Sequence, residues 1–169
     1  ICSGLVGSEM CIRDRMCVVY PTSTQPALGC LPTSEALDLL YSLKNREDSQ
    51  PVSLAVANLE QAKMIAHVPD SVVSMLDHFP TGSITVILDS RSTLDERLGG
   101  ERVALRVVSH DTAVRLVEEV GPITATSANI SGSPPEDDPA MAARSLSTDG
   151  SHIPFVSGLC GGGVPSTLI

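Results

Sequence analysis

The sequence is poor in aromatic residues and in positive charge. Its 169 residues include two tyrosines, two phenylalanines and no tryptophan, so the core has to be built from aliphatic side chains. Such a core suits a sheet that is buried beneath helices. Lysine and arginine number 11 against 20 aspartate and glutamate residues, which gives a net charge of −9. This balance argues against non-specific binding to nucleic acid or to an anionic membrane as the main activity, and it leaves a local basic patch open.

Several familiar patterns are also missing. No apolar run approaches the roughly 18 residues that a membrane-spanning helix needs. The five cysteines contain no C-x-x-C pair, so they indicate neither a disulfide framework nor a zinc site and favour a reducing, cytoplasmic location. The four histidines lack metal-ligand spacing, and no metal site is predicted. The G-x-x-x-x-G-K-[ST] and G-x-G-x-x-G fingerprints of nucleotide-binding loops are absent as well.

From Met16 onward, strand-like and helix-like patterns alternate. Short apolar and alternating runs predict strands at residues 17–20, 52–57, 83–88, 103–108, 122–126 and 153–156. Helical spacing predicts helices at 34–43, 58–66, 70–78, 111–120 and 140–146, with Thr33 or Ser34, Asn58 and Asp70 as N-terminal caps. Segments 89–100, 133–139 and 161–167 are predicted to be loops. Because no internal repeat occurs, this alternation predicts one α/β domain.

The first fifteen residues fit this organisation poorly. They show no sustained apolar period, and their charges follow the apolar residues, whereas a signal peptide carries its charges first. The segment also resembles a peptide translated from sequencing-library adapter. We therefore predict that residues 1–15 are a non-native leader and that the domain occupies residues 16–169.

The stretch from Thr126 to Gly132, TSANISG, follows the predicted strand at 122–126. Serine, threonine and asparagine supply neutral hydrogen-bonding groups close to the backbone, and Gly132 lets the chain turn. Such a strand end can hold an anion or a nucleotide phosphate, although a strand followed by a plain polar turn is the alternative interpretation. Further polar stretches lie at other element ends, at residues 22–24, 44–46 and 166–167.

Three cations accompany these stretches. Arg106 lies inside an apolar strand, where a period of two places it on one face with Ala104 and Val108. Lys44 and Arg46 follow a predicted helix, where they can equally be solvated cations that favour the helix dipole. Cations with hydroxyls and almost no acid suit a polyphosphate, because lysine brings a point charge and arginine a bidentate fork.

Six motifs occur in series between residues 16 and 169. In chain order they are Tyr20-Pro-Thr-Ser-Thr24 with Leu28-Gly29-Cys30, Leu43-Lys44-x-Arg46 with Pro51, Pro80-x-Gly82-x-Ile84-Thr85, Val103-Ala-Leu-Arg106, Thr126-Ser-Ala-Asn-x-Ser-Gly132 and Gly163-Val-Pro-Ser-Thr-Leu-Ile169. In this order they resemble the Sua5/YrdC/YwlC family. The resemblance implies a YrdC-like fold, in which a twisted, mixed sheet flanked by helices surrounds a positively lined cavity. It also implies that the usual first helix and the C-terminal end are truncated.

The resemblance further implies an L-threonylcarbamoyladenylate synthase. Such an enzyme joins L-threonine, hydrogencarbonate and ATP, the last as its Mg²⁺ complex, to give threonylcarbamoyl-AMP and pyrophosphate. The product serves the threonylcarbamoyladenosine modification of tRNA, through a tRNA threonylcarbamoyl-transferase complex. A nucleotide- or RNA-binding paralogue without activity is the first alternative. A carbamoyl-adenylate-forming domain of the hydrogenase-maturation type is the second.

Carried over by position, the resemblance also implies roles for individual residues. Lys44 and Arg46 are expected to be catalytic and to contact the ATP phosphates, whereas Thr22, Thr24 and Arg106 are expected to bind threonine. The other expected ATP and phosphate contacts are Gln50, Ser127, Asn129, Ser131, Ser166 and Thr167. The chain has Pro26-Ala27 where the family usually has Tyr-Gly, and Gln50 where many members have asparagine or lysine.

Overall fold

The computed structural model describes residues 4–147 and 151–169. Within these ranges, short strands form two sheets. An antiparallel sheet has the order β1-β2-β7 and contains β1 (Val18–Tyr20), β2 (Ala27–Gly29) and β7 (Thr126–Ser127). A larger sheet has the order β6-β3-β5-β4-β8 and contains β3 (Leu54–Val56), β4 (Ile84–Asp89), β5 (Arg102–Val107), β6 (Ile123–Thr124) and β8 (Thr167–Leu168).

The larger sheet is mixed. Strand β3 runs parallel to β5, and β4 runs parallel to β8, whereas the pairs β3–β6 and β4–β5 are antiparallel. The helices around the sheets are α1 (Gly4–Arg13), α2 (Ser34–Lys44), α3 (Leu59–Ile65), α4 (Asp70–Leu76), α5 (Asp111–Val120) and α6 (Pro139–Leu146), with a 3₁₀ turn at Glu96–Leu98. The predicted α/β class with a mixed sheet and flanking helices is confirmed.

Two helix starts follow the predicted capping chemistry, and a third does not. The Thr33 hydroxyl accepts from the Ala36 backbone N–H at 3.4 Å, and Asn58 Oδ1 accepts from the Gln61 N–H at 2.9 Å. Each cap satisfies one of the backbone donors that a helix start leaves without a partner. The predicted cap at Asp70 is wrong, because Pro69 occupies the cap position of α4 and makes no side-chain hydrogen bond.

The core is aliphatic, as the shortage of aromatic residues predicts. One buried cluster joins α2, α6 and the sheets through residues such as Leu37, Leu40 and Leu105. A second joins α5 to β1 and β6 through residues such as Leu116 and Ile123. Complete burial of one such side chain contributes roughly 1.5–3 kcal/mol. None of the helices within the described ranges has the length and hydropathy needed to span a membrane.

The structure departs from the predicted elements in several places, and strand β2 (Ala27–Gly29) lies where no element is predicted. A helix, α1, occupies residues for which no element is predicted, and its Ile12 is fully buried. The strand predicted at 122–126 is divided between β6 and β7, which belong to different sheets. The strand predicted at 153–156 is reduced to one bridge between Val19 and Phe155, and the loop predicted at 161–167 ends in β8. Cys11 is disulfide-bonded, although the cysteine pattern favours reduced thiols.

Candidate functional site

A cavity of about 460 Å³ takes its walls from both sheets. One sheet contributes the ends of β2 and β7, and the other contributes β4, β5 and β8. Among the described residues that line it, the only charged side chains are Arg46 and Arg106, and none is acidic. A smaller pocket of about 120 Å³ beneath α4 is lined mainly by aliphatic side chains and offers little polar chemistry. The larger cavity is therefore the candidate site.

Arg106 projects from β5 into this cavity and is buried, with 7% of its surface exposed. Its Nε donates to the Gly82 carbonyl at 2.8 Å, and its Nη2 donates to the hydroxyls of Thr24 at 3.2 Å and Ser23 at 3.3 Å. Burial lowers the pKa of the guanidinium, which nevertheless stays charged at physiological pH. A buried cation whose described partners are all neutral favours an anion beside it.

The loop at residues 22–25 is folded around a threonine that the cavity does not reach. The buried Thr22 hydroxyl donates to the Gln25 carbonyl at 2.6 Å and accepts from the Thr24 backbone N–H at 3.2 Å. This local turn leaves Thr24, which lines the cavity, beside Arg106. Gly161 packs so closely behind the loop that a Cβ there would lie 2.1 Å from the Ser23 carbonyl oxygen.

Lys44, the last residue of α2, lies beneath the TSANISG stretch. It is 1% exposed, and its Nζ donates to the carbonyls of Ser127 and Asn129, the latter at 2.7 Å. The Ser131 N–H in turn donates to the Lys44 carbonyl at 2.9 Å. Burial, together with the nearby charge of Arg46, lowers the pKa of the Lys44 ammonium to about 8. Lys44 thus holds the loop from below and is not among the residues that line the cavity.

The loop presents Ser127 and Asn129 to the cavity. Asn129 Nδ2 donates to the carbonyls of Ser133 at 2.7 Å and Ile130 at 3.0 Å, which fixes the amide. Within the described residues, Asn129 Oδ1 and Ser131 Oγ are buried without a hydrogen-bond partner. Ser131 does not line the cavity. The loop therefore offers the exposed Ser127 hydroxyl at the end of β7, while the Asn129 NH2 group is engaged by two carbonyls of the loop.

Arg46 reaches the cavity from the loop between α2 and β3. It is half-buried, and its Nε and Nη2 donate to the carbonyls of Gln50 at 2.9 Å and Pro51 at 3.0 Å. The Gln50 side chain is exposed and does not line the cavity, so Gln50 contributes through its backbone. Ser166 also lines the cavity, and its Oγ lies 2.8 Å from the Thr85 hydroxyl.

The structure thus divides the expected site residues into two groups. Six line one cavity: Thr24, Arg46, Arg106, Ser127, Asn129 and Ser166. The other five stand behind it or beside it: Thr22, Lys44, Gln50, Ser131 and Thr167. Thr167 is exposed in β8, where it pairs with Ile84. No role is expected for Thr85 from the sequence, although a polar residue within the apolar strand predicted at 83–88 was a usable signal.

These features define a class of protein. Two arginines, several hydroxyls, an oriented amide and no described carboxylate converge in a cavity at strand ends. Arginine forks and neutral donors without acid are the chemistry that recognises phosphates and carboxylates. The fold and the cavity are therefore those of an α/β protein that binds small polyanions such as nucleotides.

The chain belongs to the Sua5/YciO/YrdC family, whose model, described as telomere recombination, matches residues 11–169. It is 32% identical to the threonylcarbamoyl-AMP synthase of Bacillus subtilis over 165 residues, or 94% of this chain and 47% of the relative. It is 36% identical to the threonylcarbamoyl-AMP synthase of Idiomarina loihiensis over 128 residues, or 70% of this chain and 67% of the relative.

A solved structure of Sua5 from Pyrococcus abyssi, complexed with L-threonine, matches with a TM-score of 0.85 and 27% identity. The match covers 97% of this chain and 49% of the P. abyssi chain. The present chain therefore spans about half the length of this structure and of the B. subtilis relative.

Proposed function

We propose that this chain is an L-threonylcarbamoyladenylate synthase, which makes threonylcarbamoyl-AMP and pyrophosphate from L-threonine, hydrogencarbonate and ATP. The observation that carries the proposal is the cavity with two arginines and no described carboxylate. The named activity of the B. subtilis and I. loihiensis relatives supports it. So does the L-threonine in the P. abyssi structure. ATP enters as its Mg²⁺ complex, with the ion carried by the phosphates.

The reaction brings several negative charges together, which is why such a cavity suits it. The threonine amine condenses with hydrogencarbonate to a carbamate with loss of water. A carbamate oxygen then attacks the α-phosphorus of ATP, and pyrophosphate leaves with the electrons of the broken P–O bond. The protein has to align the two anions and neutralise developing charge, and no protein nucleophile is needed. Fixed arginines and neutral donors perform both tasks.

The geometry suggests a division of labour across the cavity. Arg46 contacts the phosphates together with Ser127, Asn129 and Ser166, which share its cavity. Arg106 and Thr24, which are hydrogen-bonded to each other, bind the threonine carboxylate.

The remaining expected residues do not line the cavity and instead support the residues that do. Thr22 shapes the turn that carries Thr24, and Lys44 fixes the carbonyls of the phosphate loop. Gln50 holds Arg46 through its carbonyl. Ser131 and Thr167 adjoin the phosphate-side residues in the chain and are assigned to that side.

The test is release of pyrophosphate from MgATP by the purified chain, with and without L-threonine and hydrogencarbonate. We expect release that requires both co-substrates and falls by at least about 100-fold in Arg46→Ala, the scale of losing one charge-stabilising group. The matched control is Arg115→Ala, because Arg115 is exposed on α5 and does not line the cavity. Pyrophosphate release that ignores threonine, or equal loss in both variants, contradicts the proposal.

We further propose that the adenylate passes to a tRNA threonylcarbamoyl-transferase complex. The acidic net charge of −9 gives this chain little general attraction for RNA, so a separate component has to present the tRNA. Transfer of label from ¹⁴C-threonine to tRNA is expected only when that complex is added. Transfer by this chain alone would contradict the hand-over.

A further inference from the structure

Arg46 lies in a loop that has little regular structure to hold it. The loop begins at Asn45, which has the left-handed backbone conformation (φ 48°, ψ 49°), and it continues to β3. The backbone N–H of Arg46 donates to the Tyr41 carbonyl of α2 at 3.0 Å. Among the described residues, however, the Arg46 side chain hydrogen-bonds only to carbonyls of this same loop, those of Gln50 and Pro51. Hydrogen bonds within one loop orient the Arg46 side chain relative to that loop, but they do not fix the loop relative to the rest of the protein. Something outside the loop therefore has to fix those carbonyls.

Tyr41 provides a contact of this kind. It lies on α2, is 4% exposed, and its hydroxyl points at two carbonyl oxygens, those of Gln50 at 2.7 Å and Arg97 at 3.1 Å. The Gln50 carbonyl thus accepts from both Tyr41 and Arg46, which matches its two lone pairs. The Tyr41 ring also lies 5.9 Å from Arg46 Cζ, within the range of a cation–π contact.

Arg97, the second arginine beside Tyr41, is held in place by several hydrogen bonds and ion pairs. The Arg97 carbonyl accepts from the Val52 N–H at 2.9 Å and lies 3.1 Å from the Tyr41 hydroxyl. The single proton of that hydroxyl has its shorter contact with the Gln50 carbonyl. The Arg97 guanidinium bonds to Asp95 and Asp38, and its Cζ lies 5.7 Å from the Tyr41 ring. The tyrosine is therefore enclosed by two guanidinium groups, of which one is fixed by carboxylates and the other faces the cavity.

We propose that Tyr41 is a positioning residue for Arg46. Its hydroxyl ties the Gln50 carbonyl to α2 and the 3₁₀ turn, and that carbonyl sets the direction of the Arg46 guanidinium toward the phosphates. This inference rests on the proposed function for the placement of the ATP phosphates beside Arg46, but its test does not require turnover because it measures binding of MgATP. Loss of the hydroxyl lowers the affinity for ATP. It leaves the binding of threonine by Arg106 and Thr24 unchanged.

The test compares the only two tyrosines of the chain. Tyr41→Phe removes the hydroxyl that holds Gln50, whereas Tyr20→Phe removes a buried hydroxyl that donates to the Thr124 carbonyl at 3.0 Å and has no contact with Arg46. We expect Tyr41→Phe to raise the dissociation constant and KM for MgATP about fivefold, the equivalent of one lost hydrogen bond. The KM for threonine is expected to change less than twofold in Tyr41→Phe. Tyr20→Phe is expected to leave the dissociation constant and the KM for MgATP near the wild-type level.

A double-mutant cycle separates positioning from a general structural role. In an Arg46→Ala background, Tyr41→Phe is expected to have no further effect on MgATP binding by calorimetry, because the residue it positions is gone. Additive losses, or equal rises in the KM values for ATP and threonine, overturn the proposal. Because the cycle measures binding, it remains decisive if the wild-type chain binds MgATP without threonine-dependent turnover, a result that refutes only the proposed reaction.

Discussion

Replacing Lys44 by methionine probes the support beneath the phosphate loop. The substitution keeps the length of the side chain and removes the ammonium that donates to the carbonyls of Ser127 and Asn129. Burial costs the charged form of Lys44 free energy, which is why its pKa falls from 10.5 to about 8. Methionine removes both this cost and the two hydrogen bonds. These two effects oppose each other, so the difference in the free energy of unfolding at a single pH is less informative than the way this difference changes with pH.

The sign of that change follows from the lowered pKa. Between about pH 8 and 10.5 the unfolded chain keeps the Lys44 proton and the native chain has lost it. Because the unfolded state then binds more protons, the free energy of unfolding rises with pH through this window. At about 1.4 kcal/mol per pH unit, wild type gains up to roughly 3 kcal/mol relative to Lys44→Met across the window, and up to roughly 2 kcal/mol between pH 8 and 9.5.

The assay is urea unfolding followed by circular dichroism at pH 7, 8, 9 and 9.5. The free energy of unfolding of the variant is subtracted from that of the wild type at each pH. The subtraction removes the contribution of the cysteines and tyrosines, which is the same in both proteins. Lys63→Met is the matched control, since Lys63 is the only other lysine of the chain and pairs with Glu60 on the surface of α3. A flat difference for Lys44→Met, or the same slope in both variants, would refute the reasoning.

Two further substitutions test the walls of the cavity. Gly161→Ala places a Cβ 2.1 Å from the Ser23 carbonyl oxygen, so we expect a lower melting temperature and at least a fivefold higher KM for threonine; unchanged values would show that the loop yields without consequence. Thr85→Val keeps a β-branched residue in β4 but removes the hydroxyl that meets Ser166 at 2.8 Å. We expect about a fivefold rise in the KM for MgATP at nearly unchanged melting temperature. An unaltered KM would remove Ser166 from the phosphate side.

The sequence predicts well those elements whose local pattern, such as helical spacing of apolar residues and a terminating glycine, is sufficient to define them. The helix predicted at 111–120 is α5 (Asp111–Val120), because its apolar residues recur at helical spacing and Gly121 ends it. Elements fixed by distant partners are not visible in the same way. Strand β8 is two residues long and exists through its pairing with Ile84 and Thr85. The division of 122–126 between two sheets likewise depends on tertiary pairing with β2 and β3.

The Lys44-x-Arg46 motif shows how far the site itself was predictable. The sequence identifies both cations but not their different environments. Lys44 ends α2 with its side chain turned into the protein, whereas the left-handed residue Asn45 redirects the chain so that Arg46 reaches the cavity. That turn is a backbone choice which the residue types alone leave open, since asparagine tolerates it without demanding it.

The charge distribution links the cavity to the expected division of labour in tRNA modification. The chain carries a net charge of −9, yet the described cavity lining holds two arginines and no carboxylate. A small ligand such as MgATP can enter a positive cavity within an acidic molecule, because its charge interacts mainly with the nearest groups. A tRNA is too large to do so and meets the acidic exterior. The same distribution that suits the proposed adenylate formation disfavours retention of the tRNA, which supports our proposal that another component carries out the transfer step.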